Sequence, residues 1–255
     1  MAEGSESRRL AVLIDADNTS ARYAAAIFDE IASLGEANVR RIYGDFSSTR
    51  LGSWDSAVQT LAILQHQQRS NTTGKNAADI ALVIDAMDLL YKGTLDGFCL
   101  VSSDSDFTRL AQRLREDGLA VYGFGERKTP EAFRNACTRF IYVENLIEAA
   151  EPLSAPGQPS VPVATDRERK KEPASKATPI IRKAMAGLED DEGWATLGGV
   201  GSRIAHIAPD FDPRSYGHAK LSALAESTGD FEVKRSGDKH IVIRPKRSAK
   251  KAPAN

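Results

Sequence analysis

The sequence predicts an α/β protein: a mostly parallel sheet covered by helices on both faces, followed by a second, small α+β domain of winged-helix type. Three observations carry this expectation. Strand-like and helix-like runs alternate through residues 8–148, which is the order of βαβ units. A polar, proline-rich stretch then interrupts all periodicity. Beyond it come three short amphipathic runs and a hairpin pattern, the element order of a winged helix.

Each element has its local reason. Leu10–Asp15 is an apolar run of strand type. In Ser20–Leu34, Tyr23, Ile27, Ile31 and Leu34 recur at helical spacing, and Gly35 is placed to cap the helix C-terminus. Asn38–Phe46 reads as a strand, Trp54–Leu64 as a helix through Val58, Leu61 and Ala62, and 63–68 as a short strand before the loop Asn71–Gly74. Asn76–Tyr91 is the strongest helical pattern. Strands at Phe98–Ser102, Leu119–Phe124 and Phe140–Val143 alternate with helices at Phe107–Asp117 and Pro130–Ala136.

Residues 149–176 hold Pro152, Pro156, Pro159, Pro162 and Pro173 with a charged run at Asp166–Glu172, the composition of a flexible linker. Periodicity returns in 177–245. Helical runs begin near Pro179, Trp194 and Pro213, the last with Asp212 as N-cap and proline at the first helical position. Phe231–Arg235 and His240–Arg244 flank a Ser-Gly-Asp turn and read as a hairpin. Residues 246–255 form a basic tail expected to be disordered.

The chain has 255 residues and a net charge of −1, which hides an asymmetry. Residues 1–150 carry 16 Lys and Arg against 21 Asp and Glu; residues 151–255 carry 18 against 14. An acidic front and a basic back suit a metal-binding domain tethered to a module that meets a polyanion. The two cysteines, Cys99 and Cys137, offer neither a disulfide framework nor a metal-ligand spacing. No stretch reaches the roughly 20 apolar residues that span a bilayer, and the polar start lacks a signal-peptide core. A soluble, cytoplasmic protein is expected.

Chemistry concentrates where apolar strands end in acids. The first strand delivers Asp15, Asp17 and Asn18; the strand at Phe98–Ser102 delivers Asp104 and Asp106. Ligands bind open parallel sheets outside the carboxyl ends of the strands, where the strand order reverses. Neighbouring strands at that point bring these acids together. At about 100° per residue, Asp79 shares a face with Val83, Ala86 and Leu90, whereas Asp85 and Asp88 fall on the opposite, solvated face. Asp79 therefore joins the same edge. Acids in a first helical turn also complement the helix dipole without further duty, and those after strands serve as turn residues or N-caps; three elements converging on one edge favours a shared ligand. Carboxylates so crowded raise one another's pKa unless a cation joins them, and Mg²⁺ or Mn²⁺ meets that need. Asn18, Ser102 and Lys75 are placed to orient an acid, a metal water or a phosphate. His66 has no obvious partner.

These residues resemble the NYN family, a branch of the PIN-like metal-dependent ribonucleases. Val12–Asn18, Lys75–Asp88, Leu100–Phe107 and Val121–Gly125 carry the likeness, in order, through residues 8–148. The resemblance implies a Rossmann-like sheet, Mg²⁺-dependent RNA cleavage, and a metal site of Asp15, Asp79, Asp104 and Asp106. Asp85 belongs to the motif too but ranks lower on the helix-face argument. Residues 176–245 resemble the LOTUS, or OST-HTH, module, through Trp194–Leu197, Phe211–Gly217, Lys220–Leu224, Phe231–Val233 and Ile241–Ile243. That likeness implies binding of RNA or of protein partners. On charge alone, Arg214, His218 and Lys220 with Lys234, Arg235 and Lys239 of the wing are candidate phosphate contacts; a solvated charged face is the plain alternative.

The leading expectation is a metal-dependent endoribonuclease with an RNA-binding appendage. One rival is a phosphohydrolase of the haloacid dehalogenase type, since Asp15-Ala-Asp-Asn-Thr19 resembles that family's opening motif with Asp15 as nucleophile. Its later acids are spaced too closely for that motif, and no cap insertion follows. The other rival is a non-catalytic scaffold for RNA or protein. The sequence leaves oligomeric state and RNA preference open.

Overall fold

The computed structural model describes residues 7–47, 49–68, 77–150, 171–236 and 240–246. Asn71–Gly74, Lys75, Lys239, most of the predicted linker and most of the basic tail lie outside the described residues. The chain divides into two compact units, 1–155 and 156–255.

The front unit runs β1 (Arg9–Asp15), α1 (Ala24–Leu34), β2 (Glu36–Gly44), α2 (Asp55–Thr60), β3 (Leu64–Gln67), α3 (Ala77–Lys92), β4 (Gly97–Val101), α4 (Thr108–Glu116), β5 (Ala120–Gly125), α5 (Glu131–Ala136), β6 (Arg139–Tyr142) and α6 (Val143–Ala150). Its six strands pair in the order β3-β2-β1-β4-β5-β6, all parallel. This doubly wound order reverses between β1 and β4.

Two-sided burial explains the unbroken apolar strands. Along β1, Leu10, Val12 and Ile14 enter one core with Ile27 and Ile31 of α1 and Leu146 of α6. Ala11 and Leu13 enter the other with Leu82, Ala86 and Leu89 of α3 and Leu110 and Leu114 of α4. Gly35 caps α1 as expected, its N–H donating to the Ile31 carbonyl at 3.0 Å. It is extended, with φ 165°, and it is glycine for space: a Cβ there would meet the Arg8 carbonyl oxygen at 2.4 Å. Helix α6, which directly follows β6, is an element the sequence reading did not include.

The back unit holds α7 (Thr178–Met185), β7 (Ala195–Thr196), α8 (Leu197–Ile207), α9 (Leu221–Ser227), β8 (Phe231–Ser236) and β9 (His240–Pro245). Three helices pack on an antiparallel sheet of order β7-β9-β8 around Ile181, Val200, Ile204, Leu224, Phe231 and Ile243. The predicted third helix is broken. A 3-10 turn at Pro213–Tyr216 ends at Gly217, whose φ of 82° stops it, and α9 starts only at Leu221. The chain joins this unit before the predicted linker ends, because Glu172 N–H donates to the Ser215 carbonyl at 3.0 Å.

Candidate active site

Register fixes the first contact. Ile14 lies beside Val101 in the β1–β4 ladder, so the next residues, Asp15 and Ser102, stand side by side past the strand ends. Alternation along β1 turns Asp15 to the face that α3 covers. Asp15 is buried at 1% exposure, and Ser102 at 2%.

A buried carboxylate must be hydrogen-bonded, and Asp15 is. Its Oδ2 accepts from Ser102 Oγ at 2.7 Å and from Asn18 Nδ2 at 2.9 Å. Its Oδ1 accepts from the backbone N–H groups of Asp17 at 3.1 Å and Asn18 at 3.3 Å. Burial raises its pKa above the usual value; the bonds from Ser102 and Asn18 oppose that shift, and the Asp17 charge adds to it. Ser102 relays onward: its hydroxyl accepts from the Asp104 N–H at 3.0 Å. Asp104 then caps the 3-10 turn before α4, its Oδ1 accepting from the Asp106 N–H at 2.9 Å.

Asp79 stands in the first turn of α3, half-buried. Its pKa is pushed up to about 6, first by burial and then by Asp15, Asp104, Asp106 and Asp17. Its carboxyl thus lies within the field of acids from β1 and from the loop after β4. Asp79, Ile80, Val83 and Ile84 of α3 line a cleft of about 240 Å³ with Asp106 and Phe107. Strand β2 ends in the same manner as β1 and β4. Asp45 follows Gly44 and accepts from Gln67 Nε2 at 2.7 Å and from Ser47 N–H at 3.1 Å. The sequence reading passed over Asp45, because β2 carries Arg40 and Arg41 and only its last three residues are buried.

Asp85 corrects the helix-face expectation. It does not face solvent. Its Oδ2 takes Arg41 Nη1 at 2.8 Å and the Tyr43 hydroxyl at 2.7 Å, with His66 Nδ1 at 3.4 Å. His66 accordingly has partners, and its ring lies against Tyr43 with centroids 5.0 Å apart. The buried face of α3 holds Leu82, Ala86, Leu89 and Leu90, and Asp85 falls on its flank toward β2 and β3. This cluster holds α3 two turns beyond Asp79.

The donors at the edge are carboxylate and hydroxyl oxygens, the chemistry of a hard divalent ion. Among the described residues no three His, Cys, Asp or Glu side chains stand close enough to hold an ion directly.

On the back unit, the candidate phosphate contacts divide. Arg214 is committed to the buried Asp212, with Nη2 at 2.7 Å and Nε at 2.9 Å from Oδ2, so its guanidinium serves the fold of the 3-10 turn. His218 Nε2 meets Ser227 Oγ at 2.9 Å. Lys220 and Arg235 are exposed. Lys234 Nζ and Arg244 Cζ lie 3.8 and 4.4 Å from the Trp194 ring centroid, a cationic cluster whose Arg244 the sequence reading omitted.

The NYN domain model matches residues 9–146. The chain belongs to the NYN domain family. Its back unit matches the OST-HTH/LOTUS domain model over residues 168–243. NYN domains are a nuclease family, generally dependent on divalent metal, and OST-HTH/LOTUS domains bind RNA. At that level an RNase-like role follows for this NYN protein. It is similar to a crystal structure of a protein of unknown function from Vibrio parahaemolyticus, at 16% identity and a TM-score of 0.46, covering 54% of this chain and 94% of that one. It is also similar to a solution structure of an uncharacterized protein from Nitrosomonas europaea, at 30% identity and a TM-score of 0.27, covering 38% and 94%. No curated protein matches the NYN chain. Among its described residues, no helix is long and apolar enough to cross a membrane.

Proposed function

We propose that the chain is a metal-dependent endoribonuclease: Asp15, Asp79, Asp104 and Asp106 hold Mg²⁺ or Mn²⁺, and the back unit holds RNA. The observation that carries this reading is the pressure on Asp79. Burial first, and then four acids from two other elements, raise the pKa of that half-buried carboxyl, and a cation offsets the repulsion among the acids. Bound there, the ion supplies Lewis acidity to a phosphate oxygen and a water of lowered pKa.

The chain's own residues do the positioning. Asp15 is held rigid through both oxygens, which suits an anchored ligand better than a nucleophile that must swing onto phosphorus. That weighs against the phosphohydrolase alternative. Ser102 and Asn18 fix the Asp15 carboxylate, and Ser102 also fixes the backbone at Asp104. Asp17 and Asp106 add charge at the rim, and Lys75 is reserved for a substrate phosphate. Asp85 acts at a distance, by holding α3 against β2 and β3. In the back unit, Lys220, Lys234 and Arg235 meet RNA phosphates; His218 and Lys239 remain part of that set, and Arg214 and Arg244, held by Asp212 and Glu232, do not. Residues 151–170 tether the two units, so RNA held by the back unit is concentrated at the acid edge.

The test is cleavage of labelled single-stranded RNA by the full chain with and without Mn²⁺, beside Asp104→Asn. Metal-dependent cuts that Asp104→Asn abolishes support the reading. RNA binding without cleavage, unchanged in that variant, overturns it in favour of a scaffold.

A further inference from the structure

The loops that leave β1, β4 and β5 stand side by side at the acid edge. Ile14, Val101 and Phe124 share one row of the sheet. Beyond that row the loops are tied together. Thr19 Oγ1 donates to the Val101 carbonyl at 3.3 Å, Ser102 N–H to the Phe124 carbonyl at 3.0 Å and Glu126 N–H to Ser103 Oγ at 2.9 Å. Neighbouring strands lie about 4.8 Å apart, so the three loops begin within about 10 Å of the end of β1.

An exposed arginine follows each of these strands: Arg22 after β1, Arg109 after β4 and Arg127 after β5. The partners of all three guanidinium groups are neutral. Arg22 donates to the Tyr23 hydroxyl, with Cζ 4.5 Å from that ring's centroid. Arg109 Nη1 donates to Gln112 Oε1 at 3.0 Å. Arg127 Nη2 donates to Oδ1 of the buried Asn145 at 2.8 Å, and its Cζ lies 5.3 Å from the Tyr142 ring centroid. By contrast, Arg9, Arg41, Arg113 and Arg139 meet acids, and Arg40 and Arg115 are spent on backbone carbonyls. Arg8 also has a neutral partner, the Tyr122 hydroxyl, but it precedes β1, at the other end of the strand. Helix stability does not call for Arg22 or Arg109. Arg22 comes just before α1 and Arg109 lies in the first turn of α4, where a cation opposes the helix dipole.

We propose that Arg22, Arg109 and Arg127 form a phosphate cradle through which the front unit itself holds the RNA strand beside the acids. Helices α1 and α4 cover opposite faces of the sheet, so Arg22 and Arg109 bracket the edge, with Arg127 along it. Each guanidinium has five N–H donors and spends one in the bonds above, which leaves donors for phosphate oxygens. The cradle rests on the reading of the chain as RNA-directed and adds front-unit contacts to those of the back unit. RNA is the polyanion that the back unit's family binds, which favours it over an acidic peptide.

Fluorescence anisotropy of a labelled single-stranded RNA with the full chain, in the absence of divalent metal, tests the cradle. In Arg22→Gln/Arg109→Gln/Arg127→Gln the affinity falls about tenfold or more, and the slope of log affinity against log salt lessens by about 0.7 for each arginine lost. Arg127→Lys keeps its share of the slope. Arg8→Gln removes the same charge at the other end of β1 and leaves affinity and slope unchanged. The three substituted side chains are exposed, and circular dichroism with thermal melts verifies that the variants fold. A triple variant with wild-type affinity and slope overturns the proposal, as does an equal loss in Arg8→Gln, which assigns the effect to net charge. Polyglutamate that binds as tightly as RNA, with the same loss in the triple variant, reassigns the arginines to an acidic protein and equally overturns it. Loss of metal-free binding in a chain that cuts no RNA supports the cradle and removes the nuclease reading; cleavage with binding unmoved does the reverse.

Discussion

The Ser102 hydroxyl donates to Asp15 Oδ2 across 2.7 Å, joining the ends of the two strands between which the sheet reverses. The same hydroxyl accepts from the Asp104 backbone. One small side chain thus sets the geometry of two proposed metal ligands.

Ser102→Ala removes that link and leaves Asp15 buried with one donor fewer. In metalloenzymes, loss of such a supporting bond costs about 10–100-fold in metal affinity or activity. Mn²⁺ titration of the variant is expected to show a loss of that size with the circular dichroism spectrum unchanged. An unchanged Mn²⁺ affinity removes Ser102 from the site.

The acid edge makes metal-free stability depend on pH. Asp79 is raised from 3.8 to about 6, and Asp15 is raised as well. The folded chain therefore binds protons that the unfolded chain has released in that window. Stability falls where the folded state holds more protons, so these groups lower Tm as pH rises from about 4 through 6. Mn²⁺ added at pH 7.5 restores it. Asp79→Asn raises metal-free stability at pH 7.5 by about 1 kcal/mol, one pKa unit being about 1.4 kcal/mol before solvent screening. A variant no more stable than wild type at pH 7.5, in the absence of metal, contradicts this account.

Asp85→Ala strands Arg41, the Tyr43 hydroxyl and His66 together. Leaving such partners unpaired costs about 2–3 kcal/mol. Urea denaturation measures this directly, and a cost under about 0.5 kcal/mol, the size of an ordinary surface substitution, places Asp85 outside the support of α3.

Removing residues 171–255 separates holding from cutting. RNA affinity falls, whereas the rate at saturating RNA stays close to that of the full chain. Equal loss in both, seen in steady-state kinetics, contradicts a tethering role.

Much of this was legible in the sequence for definite reasons. Strands buried on both faces read as plain apolar runs, so the alternation of elements and the acids after β1 and β4 stood out. The misreading of Asp85 has a physical origin. Apolar residues line both sides of α3, and a helical wheel alone does not say which stripe the sheet takes. The expected stripe of Val83, Ala86 and Leu90 does pack on the core, but the buried face also takes in Leu82 and Leu89, and that added width brings Asp85 to its flank beside Arg41 and Tyr43. Gly35 was read from its place after a helix, but the crowding by Arg8 that requires it comes from a residue distant in sequence. Arg214 was read by charge, and its buried partner Asp212 became visible only with the turn that joins them.

Electron paramagnetic resonance of Mn²⁺ added to the full chain probes the shared cation most directly. The account predicts saturable binding that Asp79→Asn and Asp104→Asn each weaken strongly, although the two residues come from separate elements. Binding that is absent, or indifferent to both substitutions, contradicts it.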